Sequence, residues 1–323
     1  MNDPCVAFVA EAQSLLSVDK VTLSAIPARN CTELPSAKLF LKSRPLGVYS
    51  CARVKGLAEK SDEQLPASVV RWSFHLQRLC DGITRLTSDF NQDTLILDNL
   101  KLVTQLLATT VVTKWLAVDA RDGMLSVLWY PRLDRNDFGV AIHICPMPTP
   151  TCIASTVLVY GEGRVNARLK HTQWIEDRVP IEKYAAELAK MRGESIQEVI
   201  LSKCGPGGDR LLLEGLVSNF FVVKDGAVYT ADEGVLQGST RELVLKACAD
   251  LKIPVILEAP KLSERKLWQA AFVTSVVRVV IDVSWILFDG KSQNDISTAR
   301  IPSDSGYTRR IREQVVKLHF HLK

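Results

Sequence analysis

Five short segments carry residue types that could do chemistry. Lys170 stands in Arg168-Leu169-Lys170-His171-Thr172-Gln173-Trp174, with Arg164 upstream. Cationic neighbours and partial removal from water favour the neutral amine that attack on a carbonyl requires. Glu214 closes a run of three leucines and precedes a second apolar stretch. A carboxylate placed there is partly buried, so it needs a cation or several N–H donors. One such cation is a protonated ring nitrogen. Gly238-Ser239-Thr240-Arg241 opens an apolar-periodic segment. A helix start bares backbone N–H groups and a partial positive charge, and glycine admits a ligand closely, so one phosphate group fits. His75 and Arg78 are three apart and share a helix face, where an arginine suits a phosphate oxygen. Thr274 and Ser275 place two hydroxyls along an apolar strand, as further donors to an anion.

Alone, each segment has a plainer reading: a solvated basic face, a turn glutamate, a capped helix, a surface arginine, two polar residues at a turn. His171 reads as a structural hydrogen bonder. Gly205-Pro206-Gly207-Gly208 resembles a phosphate loop, but no helix follows it and it reads as a hairpin turn.

The elements around these residues follow from periodicity. Leu46 to Val54 reads as a strand, and 56–67 as a polar loop. Arg71 to Leu86 has helical spacing, with Phe74, Leu79 and Ile83 on one face. Asn99 to Ala108 predicts another helix; Met124 to Tyr130 and Val140 to Cys145 predict strands. Three prolines in 144–155 mark a linker, with a domain boundary near 148. Val199 to Leu201 and Leu211 to Leu213 flank a turn. Asp225-Gly226 between apolar runs predicts a hairpin. Ser239 with Glu242 predicts a capping box, and Phe272 to Val283 one long strand.

Composition excludes several function classes. In 323 residues, 47% are hydrophobic and 24% charged, values of a folded globular chain of about two domains. A net charge of +4 is too weak for nucleic acid or an anionic membrane as the main partner. The most apolar window, Leu267 to Phe288, is interrupted by Arg278 and Asp282 and predicts core strands rather than a span. Eight cysteines, none spaced C-x-x-C and none with histidines at zinc spacing, read as reduced thiols and give no metal site. The N-terminus lacks a basic segment. A cytoplasmic location is the expectation.

The order of the segments says more than any one of them. From N to C the chain offers HLQRL, RLKHTQW, EGLVSNFFVVKDG, GVLQGSTREL and FVTSVVRVV. This series resembles the fold-type-IV pyridoxal-phosphate enzymes, the class IV aminotransferase superfamily of branched-chain and D-amino-acid aminotransferases and aminodeoxychorismate lyase. It runs from residue 46 to 285 and is densest over 168–275. The resemblance implies a two-domain α/β (α+β) fold: a small N-terminal α/β domain (1–148, the first 45 residues unassigned) and a larger C-terminal domain (149–323) with a β-barrel-like core. Pyridoxal 5'-phosphate is the implied cofactor, in the cleft between domains, and a homodimer the implied assembly. Lys170 looks like the catalytic Schiff-base lysine, Glu214 like the partner of the pyridine nitrogen, and Arg78 like the phosphate arginine. Gly238, Ser239 and Thr240 match the phosphate cup, Thr274 and Ser275 its last contact, and Asn219 the residue supporting the ring beside Glu214.

The implied activity is amino transfer from an amino acid, branched-chain-like or D-, to a 2-oxo acid. Two alternatives stand: lyase-type elimination of pyruvate, and a catalytically silent cofactor-binding relative. Branched-chain enzymes follow the lysine with Gly-Gly-Asn-Tyr, whereas His171-Thr172-Gln173-Trp174 is closer to the lyase and to a divergent plant-type branch. Val276 stands where branched-chain enzymes have a second threonine, and FVTS is closer to the D-amino-acid enzymes.

Overall fold

The computed structural model describes residues 5–12, 21–28, 35–56, 68–86, 94–132, 137–150, 154–289, 296–302 and 306–320. The expected loop at 56–67 and the linker's 151–153 fall outside them, apart from Gly56. The chain forms two compact units: Met1–Thr149 with Leu169–Glu176, and Pro150–Arg168 with Asp177–Lys323. The stretch carrying Lys170 thus belongs to the first unit, although its sequence position places it beyond the expected boundary.

The first unit is built on a five-stranded antiparallel sheet. Its strands are β1 (Cys5–Ala12), β2 (Val21–Ala28), β3 (Val48–Val54), β4 (Gly123–Arg132) and β5 (Asp137–Pro146), in the order β2-β1-β5-β4-β3. Alternation divides its two faces. Leu125, Val127 and Trp129 of β4 pack in one core with Leu79 and Ile83 of helix α2 (Trp72–Leu86) and Leu107, Val111 and Trp115 of α3 (Thr94–Val118). Leu128 and Tyr130 join the other face, with Tyr49 of β3 and Phe40 and Leu41 of α1 (Ala37–Lys42). Helix α3 runs well beyond the expected 99–108. Its apolar residues go almost all round, so the 3.6-residue period is blurred.

The second unit contains a closed barrel. β6 (Ala154–Glu162), β7 (Glu198–Cys204), β8 (Arg210–Gly215), β9 (Asn219–Lys224), β12 (Trp268–Ser275) and β13 (Val279–Asp289) pair in the ring β9-β12-β13-β6-β7-β8, and β8 returns to β9. β10 (Ala227–Tyr229), β11 (Val255–Ile256) and β14 (Ile296–Arg300) extend the sheet. Phe220, Val222, Val273, Ile281 and Ile286 fill one cluster. The alternate residues Phe221, Val223, Phe272 and Val280 pack under α6 (Ser239–Asp250) and α7 (Tyr307–Phe320). The β9–β10 turn has Asp225 and Gly226 at φ 51° and 73°, the left-handed pair that a tight two-residue hairpin demands.

Two local expectations fail. Phe272–Val283 is two antiparallel strands, with a turn at 276–278 where the Arg278 N–H donates to Ser275 Oγ (3.0 Å) and Val279 takes φ 56°. Nothing in the apolar run Val276-Val277 signals that turn. Ser239 does not cap α6: Gly238 is the capping residue, and no side chain caps the helix there.

Candidate active site

Three polar residues form a row on the second unit's sheet. Glu214 of β8 is in register with Asn219 of β9, and Asn219 with Thr274 of β12. Cross-strand partners share a face. Leu212 packs inside the barrel, and strict alternation would send Glu214 there too. The β7–β8 register shifts between Ile200 and Ser202, so Gly215 faces Ile200 while Leu212 faces Ser202. The irregularity turns Glu214 to the face that carries Asn219, as bulges beside functional sites do.

Glu214 is buried, and the cation it needs comes from the chain. Arg164 donates to Glu214 Oε1 from Nε (2.8 Å) and Nη2 (2.6 Å), and the Leu236 N–H donates to Oε2 (2.9 Å). Arg164 Nη2 also donates to the carbonyl of Ala167 (2.9 Å), three residues before Lys170 in sequence. Asn219 Nδ2 donates to the Leu236 carbonyl (2.8 Å), so Glu214 and Asn219 together hold the irregular segment ahead of α6. Arg241 holds it from the other end, donating to the Ala231 carbonyl (3.1 Å), to Asp232 Oδ1 (3.1 Å) and to Gln237 Oε1 (2.5 Å). Burial pulls the Arg241 guanidinium below its usual value, against the attraction of Asp232.

The start of α6 abuts this row. A Cβ at Gly238 would lie 2.2 Å from Asn219 Oδ1, so a side chain here would have to displace the Asn219 amide. Ser239, Thr240 and Arg241 are buried in its first turn. Thr274 is 1% exposed, and its Oγ1 has no hydrogen-bond partner. Ser275 Oγ, expected as an anion contact, accepts from Arg278 in the turn.

A second ionic cluster anchors the turn joining Glu214 to Asn219. Glu198 Oε2 accepts from Ser218 Oγ (2.8 Å) and Arg278 Nη1 (2.8 Å), while Oε1 accepts from the Leu216 N–H (3.1 Å).

In the first unit, the Lys170 segment docks on β3. The Tyr49 N–H donates to the Lys170 carbonyl (2.9 Å), and Val48 bridges to His171. The Thr172 N–H donates to the Gly47 carbonyl (2.9 Å), and the Gly47 N–H donates to Thr172 Oγ1 (3.0 Å). The backbone at Lys170 is thereby fixed, and Nζ lies 4.5 Å from the centroid of the Tyr49 ring. His171 Nδ1 accepts from the Gln173 N–H (3.2 Å), a structural role. The cationic surroundings expected for Lys170 do not form as read: Arg164 turns to Glu214, and Arg168 pairs with Asp232 at 3.6 Å.

Arg78 projects from α2 toward β3. Its Nη2 donates to Ser50 Oγ (2.6 Å) and lies 3.3 Å from His75 Nδ1. Its Nε is buried without a partner, and burial lowers the guanidinium to about 10. No described carboxylate pairs with it.

The structure therefore assembles Glu214, Asn219, Gly238 and Thr274 in one unit, with Ser239 and Thr240 on the first turn of α6. Lys170 and Arg78 lie in the other unit. Sequence patterns missed Arg164 as the partner of Glu214, Tyr49 under Lys170, and Ser50 behind Arg78. Arg164 was visible as a cation near Lys170, but only pairing across 50 residues shows where it points. Among the described residues no group of three His, Cys, Asp or Glu side chains could hold a metal ion, and no helix is long and apolar enough to cross a membrane.

A six-stranded barrel with this polar row in one unit, and a lysine held on the sheet of the other, are the features of the fold-type-IV class. The class IV amino-transferase family model matches residues 65–286, and the chain belongs to that family. Its members depend on pyridoxal 5'-phosphate. The fold is shared with the branched-chain aminotransferase of Thermoproteus uzoniensis, solved with norvaline: 20% identity, TM-score 0.62, covering 92% of this chain and 93% of that one. A hypothetical aminotransferase from Mycobacterium tuberculosis, in its alpha-ketoglutarate and PMP bound form, gives 16% identity, TM-score 0.65 and coverage of 98% and 99%. The branched-chain aminotransferase of Escherichia coli gives 18%, 0.62 and 90% of each chain. No curated protein sequence matches.

Proposed function

We propose that the protein moves an amino group from an amino acid, branched-chain-like or D-, to a 2-oxo acid, with Lys170 as the catalytic residue. The observation that carries this reading is a buried hydroxyl without a partner, Thr274 Oγ1, in the row with Asn219 and Glu214 beside the start of α6, in a family whose cofactor carries a phosphate. Buried donors without acceptors are costly, and a phosphate dianion supplies them. The residues present thus fit the cofactor.

When bound, pyridoxal 5'-phosphate supplies an electron sink for the charge left at the substrate's Cα. The chain's residues have separate tasks. Arg78, Thr274, Ser275 and the N–H groups and hydroxyls of Ser239 and Thr240 would hold the phosphate. Glu214, fixed by Arg164, would accept the pyridine N–H, and Asn219 would support that side of the site by holding the Leu236 carbonyl. Lys170 Nζ would be the amine that carries the cofactor, and would hold or move the proton at the substrate's Cα. Holding ring and amine in register turns an encounter into an intramolecular step. A homodimer is part of the proposal.

Incubation of the loaded protein with single amino acids tests it. Bleaching of the visible band, and its return with a 2-oxo acid, supports amino transfer. Absence of any half-reaction with L- or D-amino acids refutes it. Pyruvate release from aminodeoxychorismate would instead select elimination, the activity that Lys170-His171 resembles.

A further inference from the structure

Arg78 sits in a cradle that no motif announces. Ser50 on β3 and His75 on α2 are 1% and 2% exposed. Ser50 Oγ lies 2.6 Å from Arg78 Nη2 and 2.8 Å from His75 Nδ1, and Nη2 is 3.3 Å from that same nitrogen. A guanidinium only donates. Ser50 Oγ therefore accepts from Arg78, and its own proton goes to His75 Nδ1. Both contacts of Nδ1 require its lone pair, so His75 carries its proton on Nε2. Arg78 Cζ lies 5.3 Å from the centroid of the Phe74 ring, which holds the guanidinium from another side.

We propose that Ser50 and His75 are positioning residues that aim Arg78 at the cofactor phosphate through a one-way hydrogen-bond relay built wholly from neutral groups. This rests on Arg78 being the phosphate arginine. The neutrality of the relay is the functional point. An aspartate or glutamate in place of Ser50 would orient the arginine equally well, but it would neutralise the charge that the phosphate needs. A serine oriented by a neutral histidine holds the fork and leaves its charge unspent. Arg78 accordingly has a buried Nε without a partner, and burial disfavours its charged form.

The relay acts on the phosphate alone, so it separates two vitamers. The full-length protein, stripped of cofactor, is titrated with pyridoxal 5'-phosphate and with pyridoxal, and binding is read from the visible absorbance. Ser50→Ala is expected to weaken pyridoxal phosphate about tenfold, the size of one lost hydrogen bond to a charged group, and to leave pyridoxal unchanged. Ser50→Thr, which keeps the hydroxyl, is expected to retain tight binding. In an Arg78→Gln background, Ser50→Ala should add nothing. If Ser50→Ala does not fold, His75→Leu against His75→Gln, which keeps an acceptor, makes the same comparison. Equal weakening of both vitamers, or no weakening, overturns the relay. Wild-type protein that binds pyridoxal phosphate no better than pyridoxal overturns Arg78 as phosphate ligand. Wild-type protein that takes up neither overturns the cofactor reading itself.

Discussion

Arg164 and Glu214 make the sharpest prediction about how the site is held. Their side chains are 8% and 4% exposed, and Arg164 gives two N–H groups to one carboxylate oxygen. Arg164→Met removes both and leaves the Leu236 N–H on Oε2. Removing one partner of a buried pair costs about 3–5 kcal/mol, because the other charge stays buried uncompensated. The loss should fall on the second unit. Amide hydrogen exchange of β8 and β9 peptides is therefore expected to speed up by roughly two to four orders of magnitude. The double variant Arg164→Met with Glu214→Leu should exchange much more slowly than the single one, since no orphan charge remains. On the proposed role of Glu214, pyridoxal phosphate should restore part of the protection in Arg164→Met, because a pyridine N–H would replace the missing donor. Exchange within tenfold of wild type in the single variant, or a double variant worse than the single, would refute the reasoning.

Other outcomes follow from single side chains. Thr274→Val removes a buried hydroxyl that has no partner, so the cofactor-free protein should gain up to about 1 kcal/mol while its affinity for pyridoxal phosphate falls; equal loss in both states would contradict the phosphate role. Gly238→Ala drives a methyl against Asn219 Oδ1, and thermal unfolding should show a lower midpoint with weaker cofactor binding, whereas a neutral effect would mean α6 begins elsewhere. His143 is fully buried on β5 and stacked on Phe40. Burial pulls it down to about 4, while an unfolded histidine titrates near 6.5. Only the unfolded chain takes up this proton as pH falls from 6.5 to 4, so stability drops by about 3 kcal/mol over that window and levels off below it. His143→Leu should flatten that part of the stability curve in urea titrations, and an unchanged acid slope would exclude His143 as its source.

What the sequence made legible was local. The Asp225-Gly226 hairpin, the helix 72–86 and the strands flanking Gly205–Gly208 follow from turn chemistry and periodicity within a few residues. The motifs carrying Glu214, Asn219 and Gly238 were readable as types in order, but their alignment depends on an irregularity in the β7–β8 register that no composition signals. The 276–278 turn was hidden because its first two residues are valines. Its bend is fixed instead by the Ser275 hydroxyl and by Arg278, which reaches back to Glu198. The cap of α6 falls on Gly238, where Asn219 occupies the space that a side chain would need. β1 and β2 gave little pattern because they meet at the edge of the sheet: β2 leaves residues such as Val21 and Leu23 exposed. Arg164 and Ser50 act across 50 and 28 residues of chain, and separations of that kind are set by topology.

The central claim is that the amine at position 170 binds the vitamin B6 aldehyde. Adding pyridoxal 5'-phosphate to the purified protein, reducing with borohydride and mapping the labelled peptide tests it directly. The account predicts one label, on Lys170, absent from Lys170→Ala. A label on another lysine, or a protein that stays colourless and unlabelled, would contradict it.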